Sequence, residues 1–135
     1  MEFPGRIDAP AIADLLSTAD VCLAPEPSSP LNDVSTMMKI GEYMSFARPV
    51  VAFDLPESRF TAGDAALYAE PNDERQYADR ISELLDDEER RLAMGRLGRS
   101  RIEERFSWAH SEQSLLRAYA RALEKRAPRY LTAST

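Results

Sequence analysis

Three short, uninterrupted apolar runs constrain this chain most: residues 21–24 (VCLA), 49–53 (PVVAF) and 65–69 (AALYA). Each is too short for a helix and lacks polar alternation, which is the pattern of a strand covered on both faces, as in a parallel sheet. The segments between and after them follow a helical period instead. Ile12, Leu15, Leu16 and Ala19 recur at i, i+3, i+4 and i+7, behind a start signal made by Asp8 and Pro10. Buried strands alternating with helices imply an α/β, doubly wound, Rossmann-like domain with parallel strands.

The spacing predicts strands at 3–6, 21–24, 49–53 and 65–69, with helices near 9–19, 36–47, 73–85, 87–105 and 108–126. PEPSSP at residues 25–30 stops the second strand. From Asp73 onward the pattern is almost all helix. Ile81, Leu84 and Leu85 mark one segment; Leu92, Leu97 and Ile102 mark the next, where Gly95 and Gly98 permit close packing. Ser107 is the expected cap of the last helix and Trp108 the expected anchor of its start, with Leu115, Leu116, Tyr119 and Leu123 as an apolar stripe. The 135 residues suit one domain over 1–127, with a frayed tail at 128–135.

Charge and composition exclude several functions. A net charge of −6 disfavours nucleic acid and anionic membranes as partners. The arginines between 90 and 105 are interleaved with Glu103 and Glu104 and preceded by Glu88 and Glu89, the pattern of a solvated helix face. Cys22 is the only cysteine and sits in an apolar run, so a buried strand position is expected and a disulfide within the chain is impossible. His110 is the only histidine, in a polar stretch that reads as an exposed helix start rather than part of a triad. No secretory signal or bilayer-length apolar run appears, which reads as a cytoplasmic chain without a transmembrane segment. The sequence has no D-x-D, H-E-x-x-H, Walker or G-x-G-x-x-G pattern, so no metal site is implied. The acidic run at residues 86–89 reads as a helix start favoured by the macrodipole.

The stretch 32–51, NDVSTMMKIGEYMSFARPVV, reads as loop, amphipathic helix, turn and buried strand. Ser35 or Thr36 can serve as N-cap, and the N–H groups left unsatisfied in the first turn can face a phosphate. Lys39 and Glu42 fall on the face of Ser35, whereas Met37, Ile40, Gly41 and Met44 fall largely on the other. One face is suited to chemistry and the other to packing.

These residues resemble the donor half of GT-B glycosyltransferases, specifically the large retaining family-four type, and the resemblance covers nearly the whole chain. FPGRIDAPAIADLLSTADVCLAP, EYMSFARPVVAFD, GDAALYAEPND, LLDDEERRLAMGRLGRSRIEERFSW and LLRAYARAL follow the family's order from strand and helix to the terminal helices. The resemblance implies the C-terminal, donor-binding half of a GT-B enzyme, ending in a helical region. It implies that Glu42 takes the ribose hydroxyls, the alternative being a surface pair with Lys39. The backbone amides of Thr36, Met37 and Met38 would hold the diphosphate; Lys39 either adds a charge there or only screens Glu42. Gly5 and Arg6 match the position where backbone groups read the base, although Gly5 equally suits a plain turn.

Two departures from the family pattern stand out. The family's first glutamate, eight positions before the second, is here Val34, and adjacent Asp33 is its expected substitute. The sequence also begins partway through the donor domain, without the basic diphosphate clamp or the acceptor-binding lobe. The implied function is therefore the donor side of an enzyme that moves a sugar from a nucleoside diphosphate sugar to an acceptor, inactive alone. No catalytic residue is assigned, and the donor is a substrate with no cofactor beside it. Its expected partners are the donor, the missing N-terminal lobe or a partner chain, and a second copy through an open sheet edge. The rival reading is a noncatalytic fragment or pseudo-enzyme serving as a binding or assembly module, which Val34 favours. A GT-B-shaped epimerase is opposed by the EYM helix and the RFSW ending.

Overall fold

The computed structural model describes residues 3–126. They fall into two compact units divided after Glu104, and the tail expected at 128–135 lies outside the described residues. The first unit contains a parallel sheet of β1 (Cys22–Ala24), β2 (Val50–Phe53) and β3 (Ala66–Ala69), in that order. Cys22, Leu23 and Ala24 register with Val50, Val51 and Ala52, and β2 pairs with β3 through Val50–Ala66 to Phe53–Ala69. All four β2 residues are buried, as the uninterrupted apolar run requires of a central strand.

Period-two alternation sends β2 into two cores. Val50 and Ala52 join Ala24, Ile40, Met44, Ala62 and Ala65 on one face, beneath α2 (Met38–Ser45) and α3 (Pro56–Ala62). Val51 and Phe53 join Leu55, Tyr77, Leu84 and Met94 on the other, beneath α4 (Glu74–Asp86) and part of α5 (Glu88–Arg101). Asp73 and Asp87 cap these last two helices, each accepting an N–H at 2.9 Å, from Gln76 and Arg90. The acidic run thus forms a helix start, with Glu88 and Glu89 in the first turn of α5.

Close packing of α5 depends on glycine. A Cβ at Gly95 would lie 2.0 Å from the Ala47 carbonyl oxygen. Ala47 is where α2 ends, in a left-handed conformation (φ 54°) with two closing bonds: its own N–H to the Met44 carbonyl at 2.9 Å, and the Arg48 N–H to the Tyr43 carbonyl at 3.0 Å. Arg48 then reaches α1 (Ala9–Thr18), donating to the Ala19 and Ser17 carbonyls. Asp8 caps α1 as its pattern predicts, accepting the Ala11 N–H at 3.0 Å.

Several expectations need correction. Residues 3–6 are not a strand: they lie exposed and outside the sheet, Pro4 has no N–H to contribute, and Gly5 turns the backbone at φ 71°. Helix α3 was not anticipated, because it buries Ser58, Thr61 and Ala62 instead of an apolar stripe; its sequence signal is Pro56 in the first turn. The helix predicted to reach 105 ends as α-helix at Arg101 and widens into a π-helical turn, Ile102–Phe106.

The second unit, described by itself, is dominated by α6 (Trp108–Arg126). The Ser107 carbonyl accepts the His110 N–H at 3.0 Å. Trp108 is 68% exposed and so does not anchor the helix start; Leu115, Leu116, Tyr119 and Leu123 are exposed too.

Candidate functional site

The loop leaving β1 is tied down residue by residue. Asp33 accepts from the Ser28 hydroxyl at 3.0 Å and from the Ser29 N–H at 3.3 Å. Asn32 donates its side-chain amide to the Pro27 carbonyl at 2.8 Å. The Ser28 N–H donates at 2.8 Å to the side-chain oxygen of Asn72, which follows β3 in a left-handed conformation. These bonds fix the chain just outside the carboxyl ends of the strands, where open α/β sheets bind ligands. They also commit Asp33 to holding the loop.

Helix α2 begins two residues later than the sequence suggests. Ser35 is not its cap, since its hydroxyl donates to the Leu31 carbonyl at 2.6 Å. Thr36 is not the cap either: its hydroxyl donates to Glu57 of α3 at 2.7 Å. Met37 occupies the cap position with extended backbone and no side-chain hydrogen bond, so the first-turn N–H groups at Met38 and Lys39 have neither a capping oxygen nor an intrahelical carbonyl. The partial positive end of the helix is left uncapped by side chains.

Lys39 lies in this first turn, and its ammonium pairs with Glu26 rather than with Glu42. Glu26 sits between Pro25 and Pro27 in the fixed loop, with its side chain only 18% exposed. Pro25 and Pro27 themselves line a cavity of about 430 Å³ with Phe53, Asn72, Glu74 and Tyr77. The Phe53 and Tyr77 rings meet there at 4.8 Å, and the Tyr77 hydroxyl donates to the Val51 carbonyl at 2.8 Å. Burial raises the Tyr77 pKa, opposed by a backbone hydrogen bond at Ala24 and reinforced by the charge of Glu26. Burial likewise raises the Tyr43 pKa, with negative charge at Cys22, Glu26 and Glu42 adding to it.

Glu42 is exposed one turn further along α2, in a shallow cleft with Ala9, Ile12, Ala13 and Leu16 of α1. Met38 is exposed beside it at the helix start. Gly5 and Arg6 are exposed as well, and the base-reading role expected of them has no strand beneath it. Val34 is 76% exposed, the uncharged replacement noted above. Sequence reasoning missed Glu26, Glu57 and Asn72. Glu26 was legible only as a charge inside a proline-rich stop, 13 residues from the lysine it meets. Among the described residues there is no cluster of histidine, cysteine and carboxylate side chains able to hold a metal ion, and no helix long and apolar enough to cross a membrane.

The sequence profile of the family described as Glycosyl transferases group 1 matches residues 1–87. The chain belongs to this family. A solved structure of sucrose-phosphate synthase from Thermosynechococcus elongatus is similar, with a TM-score of 0.75 and 25% identity over 92% of this chain. That match covers 30% of the synthase chain, so this chain spans under a third of its length. A search of curated proteins found no match. Family and fold together place the chain on a GT-B, Rossmann-like α/β framework.

Proposed function

We propose that residues 1–127 form the donor-binding, C-terminal part of a retaining, family-four GT-B glycosyltransferase that acts in the cytoplasm. The observation that carries this reading is the α2 N-terminus: uncapped by any side chain, set beside the strand ends, with Lys39 in its first turn and Glu42 one turn on. The amides from Thr36 to Met38 take the diphosphate and Glu42 takes the ribose hydroxyls of a nucleoside diphosphate sugar. Holding the donor there orients it for transfer, and the helix end stabilises the departing diphosphate. The edge of β1, unpaired among the described residues, and the exposed Ile12 and Leu15 of α1 suit an N-terminal lobe, a partner chain or a second copy. The 135 residues by themselves are expected to bind a nucleoside diphosphate weakly and to transfer no sugar. Val34 and the engaged Asp33 favour a second reading, a noncatalytic binding module on the same fold.

Calorimetric titration with UDP, GDP and ADP tests the donor reading. Glu42→Ala is expected to weaken the best ligand by about 1–3 kcal/mol, the range of a charge-assisted hydrogen bond. An analogue lacking both ribose hydroxyls is expected to bind wild type and variant alike. Equal loss for that analogue would remove Glu42 from the ribose role, and no binding of any nucleotide would leave only the noncatalytic reading.

A further inference from the structure

The acidic residue expected near the donor sugar is absent at Val34, and its expected substitute, Asp33, is spent on Ser28 and Ser29. A different carboxylate meets the lysine of the first turn of α2. Glu26 is brought to that lysine by the loop that leaves β1, its neighbours Pro25 and Pro27 have fixed φ, and the bonds from Asn32 to Pro27 and from Ser28 to Asn72 hold that loop in place. Its mostly buried side chain takes the ammonium of Lys39, the cation in the first turn of α2.

A diphosphate at this helix end and the Glu26 carboxylate compete for one ammonium. The phosphate carries more charge and brings its own hydrogen bonds from the helix N–H groups, so Lys39 turns toward it. The Glu26 carboxylate, mostly out of water, is then left needing hydrogen-bond donors. Sugar hydroxyls attached to the diphosphate are such donors, and a free nucleoside diphosphate has none to offer at that point. We propose that Glu26 is a partner-exchange residue of the donor site: it holds Lys39 when the site is empty, releases it to the diphosphate, and then accepts hydrogen bonds from the transferred sugar. This rests on the nucleotide-sugar reading above and adds to it a residue that discriminates the sugar conjugate from the bare diphosphate.

The experiment compares the 135-residue chain with its Glu26→Gln variant by calorimetry, using UDP, GDP and ADP and their glucose conjugates. Glutamine keeps the shape and removes the charge, and matching thermal melts establish that the variant is folded. Loss of the competitor is expected to tighten the bare diphosphate about threefold, the scale of a partly exposed ion pair. The ratio of conjugate to bare-diphosphate affinity is expected to fall about tenfold, since the amide cannot accept as strongly as the carboxylate. Lys39→Met is expected to weaken both ligands alike and leave that ratio unchanged. If Glu26→Gln weakens both ligands equally, or leaves the ratio intact, Glu26 only braces the loop and the proposal fails by itself. If neither protein binds any of the six ligands, the nucleotide-sugar reading fails and the proposal with it.

Discussion

The two sides of the sheet's strand order solve the same problem differently. From β2 outward through β3, α4 and α5, the inward positions are filled: β2 is wholly buried, Leu84 is at 0% exposure, and Gly95 lets α5 touch the end of α2, while Leu85, Leu92 and Leu97 remain on the exposed sides of their helices. From β1 toward α1 it is not. Leu23 and Ile12 are exposed, Leu15 is 53% exposed, no α1 residue is buried, and among the described residues β1 pairs along one edge alone. Helix α1 is as amphipathic in sequence as α2, so the difference lies in what is present to cover it. Amphipathicity states that a face is to be buried, and only the neighbouring elements decide whether it is.

That contrast can be broken most directly at the tightest contact on the closed side. Gly95→Ala puts a methyl into the Ala47 carbonyl and is expected to cost about 3 kcal/mol or more, read as a lowered denaturation midpoint. A loss below about 1 kcal/mol would mean that α5 does not sit as closely as described. Next comes a matched pair of leucines. Leu84→Ala is expected to cost about 3 kcal/mol, whereas Leu15→Ala is expected to stay within about 0.5 kcal/mol. Equal losses would show that α1 is covered in solution.

A smaller effect comes from alkali and sharpens the comparison with one titratable group on each side, Cys22 in β1 and Tyr68 in β3. Burial raises the Cys22 pKa to about 11, with Arg48 pulling weakly the other way, and raises that of Tyr68 to about 12, opposed by Arg59, whose guanidinium lies 4.3 Å above its ring. Both groups hold their protons more tightly in the folded state. Their contribution is therefore intact below pH 9 and is lost as pH rises through about 11 for Cys22 and about 12 for Tyr68. Thermal melts from pH 8 to 11 are expected to fall less steeply in Cys22→Ala than in wild type; identical slopes would remove Cys22 from this role.

Much of the closed side was legible in the sequence. The uninterrupted VVAF run and Leu84 in the period of α4 carry their burial in local pattern, and Asp73 and Asp87 announce the caps, whereas α5 buries Met94, Gly95 and Gly98 and leaves the expected Leu92 and Leu97 exposed, as α4 leaves Leu85. Helix α3 was not legible, because its inward face uses Ser58, Thr61 and Ala62, which no apolar period reveals. Residues 3–6 look like a strand locally, but a strand exists only by pairing, and these residues have no ladder. In the site, Glu42 and Lys39 could be placed on one helix face because i,i+3 spacing is a local rule. Which hydroxyl caps that helix was decided by Leu31 and Glu57, and which acid meets Lys39 was decided by the loop fold at Glu26. Local pattern has no access to such contacts.

The central claim is that the α2 N-terminus and the strand ends beside it form a nucleotide-diphosphate site. Amide chemical-shift mapping of the labelled chain during titration with UDP, GDP and ADP tests this most directly. Concentration-dependent shifts are expected to centre on the amides of Thr36 to Lys39 and to extend to Glu26 and Glu42, with the outer faces of α4 and α5 unmoved. Shifts centred on α4 or α5, or no shifts at the start of α2 at millimolar nucleotide, on the order of the weakest useful affinity, would contradict it.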